Sequence, residues 1–195
     1  MRRLVLVLLV VAAVCACKRD EPVRVSRYEA VKPAAPAGNS WCDQSFPTNG
    51  PRLTLPPSTV AVPGTPAPSL PKHKATWVNL WATWCGPCLR EMPLLLAWQK
   101  DLRKDGVDME LLLVSMDEDE AALTTFLAAH REIPATRVLR AASQPDYDQW
   151  MKAYSKDPSA AIPIHLLAGA DGNLRCLRVG SLRESDYPTA RGLLR

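Results

Sequence analysis

Leu4 to Val14 is an uninterrupted apolar run of 11 residues behind Met1-Arg2-Arg3. That is the length of a signal-peptide core and short of the roughly 20 residues that span a bilayer. Regular patterning resumes only at about Ala75. Ala75 to Ala82 is apolar and aromatic, interrupted at Asn79, and suits a central strand. From Cys85 to about Lys104, Leu89, Met92, Leu95, Leu96 and Leu102 fall at helical spacing. Met109 to Met116 is almost continuously apolar, as a strand buried on both faces is. Asp117 to His130 follows as a helix, with Asp117 as N-cap and Glu120 three residues on. A short strand at Arg137-Val138-Leu139 and a helix over Tyr147 to Tyr154 come next. Ile164 to Ala168 and Leu174 to Val179 are joined by Gly169-Ala170-Asp171-Gly172-Asn173, a hairpin turn. A helix over Glu184 to Leu194 closes the series. Arg52 to Leu55 and Thr59 to Val62 alternate weakly and suit short edge strands, where proline is tolerated. There is no internal repeat. This alternation predicts an α/β fold with a central mixed β-sheet flanked by helices.

Composition divides the chain. Of its 18 prolines, 11 lie between Asp20 and Pro71, and the Pro/Ala-rich stretch reads as an extended tether. The expected organisation is a signal peptide at 1–16, a tether at 17–40 and one domain at 41–195 with its core from about 72. In Val14-Cys15-Ala16-Cys17 a small residue precedes a cysteine at the end of the apolar run, which resembles a bacterial lipoprotein signal. Cys17 is then the lipidated N-terminus; bulky Val14 makes Cys15 the weaker choice. An ordinary signal peptide or an uncleaved anchor is the alternative. Acyl chains would tether the protein, each buried methylene adding about 0.8 kcal/mol. Removing Arg2 and Arg3 lowers the formal charge from +4 to about +2, too little basic density for a nucleic-acid partner.

Setting aside Cys15 and Cys17 leaves Cys42, Cys85, Cys88 and Cys176, which outside the cytoplasm allow three pairings. Cys85-Gly86-Pro87-Cys88 begins the first strong helical pattern. Two cysteines so spaced meet within one turn, and the helix's unpaired N–H groups and dipole stabilise a thiolate at the first. Cys85 is the expected nucleophile and Cys88 the less exposed resolving thiol. Pro87 sits in the first turn, where its missing N–H costs nothing. The alternative for a bare Cys-x-x-Cys is half a zinc site, which needs two more ligands. The chain has no second such pair, and His73, His130 and His165 are scattered.

The run Trp77-Val78-Asn79-Leu80-Trp81-Ala82-Thr83-Trp84-Cys85-Gly86-Pro87-Cys88, continued by Arg90-Glu91-Met92-Pro93-Leu94, resembles the TlpA/ResA branch of the thioredoxin superfamily, from about Lys72 onward. The resemblance implies a thioredoxin-like fold in an extracytoplasmic, membrane-anchored thiol reductase. It places the helix-kinking proline at Pro93 and the cis-proline at Ile162-Pro163, whose neighbouring backbone would bind a substrate peptide as an added strand. It also makes Glu91, three residues after Cys88, the acid–base group for the resolving thiol, in place of the buried aspartate that thioredoxins carry where Asn79 stands. The branch usually has two threonines after the cis-proline; this chain has Ile164-His165. Trp84 is expected to present an aromatic surface to partners, and Trp77 and Trp81 to lie in the core. If Cys85 pairs with Cys88, Cys42 and Cys176 are left to each other, a staple between the N-terminal segment and the sheet that some relatives have.

The expected activity is reduction of disulfides in exported proteins, fed by an upstream membrane thiol donor, with cytochrome c maturation as the leading pathway. No cofactor and no metal are expected. The rivals are a disulfide oxidant or isomerase, and a copper-delivery module in which His165 joins the two thiols.

Overall fold

The computed structural model describes residues 41–46, 49–67, 69–157 and 159–195. The expected signal peptide, the tether at 17–40 and the lipidation residue Cys17 lie outside the described residues. Among these, strands β1 (Gln44–Ser45), β2 (Thr59–Ala61), β3 (Ala75–Trp81), β4 (Met109–Ser115), β5 (Val138–Ala141), β6 (Ile164–Ala168) and β7 (Leu174–Val179) form one sheet in the order β1-β7-β6-β3-β4-β5-β2. β3, β4 and β5 run parallel, while β6, β7, β1 and β2 pair antiparallel. The helices are α1 (Gly86–Lys104), α2 (Glu120–Ala129), α3 (Gln144–Met151) and α4 (Tyr187–Leu193). This is the thioredoxin-like α/β arrangement expected of the chain.

Every residue of β3 is buried, because the sheet is covered on both faces. Strand periodicity then sorts side chains between two cores. Trp77, Trp81, Leu111, Leu113 and Leu167 join Met92, Leu95 and Leu102 of α1 and Leu123 and Leu127 of α2. Val78, Leu80, Leu112, Val114 and Leu166 join Tyr147, Trp150 and Met151 of α3. α1 runs through Pro93, which cannot donate a hydrogen bond to the preceding turn. At the β6–β7 turn Gly172 takes φ +79°, a conformation that costs glycine nothing.

Several boundaries differ from the sequence expectation, each for a local reason. α2 starts at Glu120, and its N-cap is Asp119, whose side chain accepts from Ala121 N at 2.8 Å. Asp117 is not the cap. It is buried and accepts from Thr83 N at 3.0 Å, Thr83 Oγ1 at 2.6 Å and Ser115 Oγ at 2.6 Å. It thereby ties the end of β4 to the turn that follows β3. We expect Asp117→Ala to lower unfolding free energy by about 2–3 kcal/mol, since it strands buried donors; urea denaturation measures it, and a loss under 0.5 kcal/mol would contradict this role. α3 starts three residues early because Ser143 caps it, accepting from Asp146 N. The last helix is divided: a 3₁₀ turn over Glu184–Asp186 precedes α4, whose second residue is Pro188. A proline has no N–H to give and belongs at a helix start. Thr59–Ala61 is an edge strand on β5, whereas Arg52 makes only an isolated bridge to Asn173. Gln44–Ser45 is an additional short strand on β7.

Candidate active site

β3 ends at Trp81, and four residues later Cys85 is the N-cap of α1. The apolar strand is buried by its pattern, and Pro87 in the first turn favours a helix start there, so the two cysteines are delivered to the strand's carboxyl end. Cys85 Sγ lies 3.3 Å from Cys88 N, which donates toward it. The two sulfurs are joined in a disulfide. No acidic side chain occupies the first turn of α1, so the amide groups and dipole act on Cys85 unopposed. Cys85 is nearly covered and Cys88 fully so, at 4% and 0% exposure. Trp84, at 54%, stands out from the surface beside them, and Gly86 is exposed next to half-buried Pro87.

Across from the disulfide the Ile162–Pro163 peptide bond is cis. Ile162 O lies 3.8 Å from Cys85 Sγ, while Pro163 O accepts from Gly180 N at 2.8 Å. The loop before β6 thus turns one carbonyl to the reactive sulfur and engages the next in the fold. Beside Trp84 and Ile162 opens a cleft of about 640 Å³, lined also by Met116, Glu118, Asp119 and Tyr147. Burial, aided by the charge of Asp148, pushes the Tyr147 phenol well above its ordinary range, so it stays neutral.

Behind the disulfide, on the α1 face of the sheet, lies a polar cluster. Glu91 is buried; its Oε2 accepts from Leu182 N at 2.8 Å and its Oε1 from Asn79 Nδ2 at 3.4 Å. His165 Nε2 is 3.4 Å from the same Oε1. His165 is wholly buried and does not face the cleft. Its contact with Glu91 was not legible in the sequence. β6 runs antiparallel to β3 and sets His165 opposite Asn79, and no local pattern encodes that register. Among the described residues, no group of three or more His, Cys, Asp or Glu side chains is arranged to hold a metal ion.

At the far edge Cys42 and Cys176 form a second disulfide. The segment it holds is tied further by Asp43 Oδ2, which accepts from Val179 N at 2.7 Å, and by the Arg178 guanidinium, 4.8 Å over the Trp41 ring.

A mixed sheet with a Cys-x-x-Cys disulfide at a helix N-terminus, faced by a cis-proline loop, defines a thioredoxin-like protein. Residues 63–194 match the Redoxin family model, and the chain belongs to that family. It is 28% identical over 115 residues to the thiol-disulfide oxidoreductase ResA of Geobacillus kaustophilus strain HTA426, covering 59% of this chain and 60% of that protein. The match thus spans about three-fifths of the relative's length. Among solved structures, a thioredoxin-related protein from Neisseria meningitidis serogroup B superposes with TM-score 0.53 at 25% identity, covering 69% of this chain and 96% of the other. The thiol:disulfide interchange protein of Chlorobium tepidum TLS superposes with TM-score 0.51 at 23% identity over 62% of this chain and 79% of its own, a likeness of fold. These relatives bear out the TlpA/ResA resemblance read from the motif.

Proposed function

We propose that this chain is a thiol–disulfide oxidoreductase acting outside the cytoplasm, and that it reduces disulfides of exported proteins. The observation that supports this best is the position of Cys85 Sγ, at the N-terminus of α1 and 3.8 Å from Ile162 O beside the cis-proline. A substrate strand laid along Ile162 and Trp84 would bring its own disulfide to that sulfur.

In the reaction the Cys85 thiolate attacks a substrate sulfur, forms a mixed disulfide and expels the other substrate sulfur as a thiolate. Cys88 then gives its proton to Glu91, and its sulfur attacks Cys85. The Cys85–Cys88 disulfide forms as the second substrate thiolate leaves. Two electrons pass to the substrate, and both substrate thiolates take protons from solvent. An upstream membrane thiol donor restores the dithiol. Cys17 carries a lipid anchor and the tether at 17–40 spaces the domain from the membrane. Cytochrome c maturation, where haem attachment needs reduced cysteine pairs, is the process the resemblance favours.

The Cys85–Cys88 reduction potential tests the direction. Equilibration against a thiol–disulfide buffer should give a value near −250 mV or lower, as about 30 mV corresponds to 1.4 kcal/mol in this two-electron couple. A value close to −120 mV would make the protein an oxidant.

A further inference from the structure

His165 is a buried imidazole in the same core as the redox helix, two residues beyond the cis-proline, where the resembling branch has a threonine. It is positioned by neighbours of fixed hydrogen-bonding character. Trp77 Nε1 lies 3.3 Å from His165 Nδ1, with the two rings edge-on, 5.9 Å apart at 80°. An indole N–H can only donate. Nδ1 must therefore accept, and the ring's proton sits on Nε2. The Asn79 amide nitrogen, 3.2 Å from the same Nδ1, also meets an acceptor there and turns toward Glu91 Oε1 as well.

The tautomer decides what reaches Glu91. With Nδ1 accepting from Trp77, the ring presents its Nε2–H on the side of Glu91 Oε1. At 3.4 Å the atoms are within reach but out of line, and Nε2 has no aligned hydrogen-bond partner. A small rotation of the Glu91 carboxylate would complete the bond. Glu91 Oε2 is meanwhile held by Leu182 N. The charged group facing His165 from the neighbouring strand is Arg178, its cross-strand partner. That guanidinium is directed to Trp41 O, Ser181 O and Asp186, leaving Glu91 as the charged side chain in contact with the ring.

We propose that His165, fixed as its Nε2–H tautomer by Trp77, is a positioning residue that orients the Glu91 carboxylate to take the proton of Cys88. The inference rests on the reading of Glu91 as that acceptor. The ring touches no substrate, and it acts through the carboxylate beside it. A side chain without a donor at that place would leave Glu91 Oε1 with the Asn79 amide alone, while Oε2 keeps its bond from Leu182 N.

Rapid mixing of the reduced protein with an aromatic disulfide reagent (dithiobisnitrobenzoate) separates the two chemical steps. Attack by Cys85 releases one nitrothiobenzoate and leaves the other on Cys85. Attack by Cys88, with loss of its proton, then forms the Cys85–Cys88 disulfide and releases the second. His165→Phe should slow the second release about ten- to a hundredfold, the range for a misplaced reacting group, and leave the first unchanged. His165→Gln, which keeps an N–H donor, should restore most of that rate. In a Glu91→Gln background His165→Phe should add nothing, because residues acting as one unit are not additive. Equal slowing in both backgrounds, or no recovery with glutamine, would overturn the proposal. If Glu91→Gln alone leaves the second release unchanged, the acceptor reading fails, whatever His165 does. Should His165→Phe fail to fold, nitrogen NMR of the parent still decides the tautomer: protonated Nδ1 would overturn the assignment.

Discussion

Replacing Cys88 by serine is expected to stop the exchange half-way, leaving Cys85 covalently joined to its substrate. Cys85 keeps its place as the N-cap of α1, with the Cys88 backbone N–H directed at its sulfur, so the first attack survives. The second does not, because a serine hydroxyl supplies no thiolate to attack the mixed disulfide. Turnover of a protein disulfide should fall on the order of 10³-fold or more, as when an essential nucleophile is removed. Mixed-disulfide adducts should accumulate and dissolve with dithiothreitol on a non-reducing gel. Cys85→Ser should lose turnover equally and yield no adducts. Adducts forming as readily on Cys85→Ser would reverse the assignment of attacking and resolving thiols. The trapped proteins would also identify the physiological substrates.

The second large effect concerns stability. Cys42 and Cys176 are 134 residues apart in the chain and joined by a disulfide. Closing so long a loop corresponds to roughly 4–5 kcal/mol in the chain-entropy model, and native disulfides typically contribute about 2–5 kcal/mol. Besides the disulfide, the N-terminal edge is held by the two-residue strand β1, by Phe46 N donating to Arg175 O, by Asp43, and by Arg178 on Trp41. The double variant Cys42→Ala, Cys176→Ala should therefore melt about 5–15 °C lower, as each kcal/mol is worth roughly 2–4 °C in a domain of this size. Its Cys85–Cys88 chemistry should persist, since that site is built by β3, α1 and β6. A melting temperature within about 1 °C of the parent would show that the staple adds nothing. Loss of exchange activity in the folded variant would show that the edge and the redox site are coupled.

The elements differ in how far they could be read ahead. β3, β4, β6, β7 and α1 follow from runs and periods written into consecutive residues, and their observed limits lie within one or two positions of those patterns. The starts of α2 and α3 shifted because a cap is chosen by competition among neighbouring polar side chains. Asp117 has the right chemistry for a cap, but Thr83 and Ser115 claim its carboxylate, and Asp119 takes the role instead. Trp77 and Trp84 show the same division. Trp77 is buried and Trp84 exposed, as their sequence context predicts, yet the indole N–H of Trp77 meets His165 across the sheet, a contact between residues 88 positions apart.

Taken alone, the amino-acid order determined the α/β class, the Cys85-Gly86-Pro87-Cys88 motif at a helix start and the family resemblance. Those features depend on residues close in sequence: spacing sets which side chains share a face, and a helix's first turn sets what its N-terminal sulfur experiences. The tertiary structure decided what surrounds the sulfurs. Antiparallel pairing of β6 with β3 brought Ile162 O to Cys85 and His165 beside Glu91, and the loop at Leu182 supplied the backbone N–H that holds the carboxylate. Strand register and loop return are fixed by packing of the whole sheet, and no segment of the chain encodes them by itself.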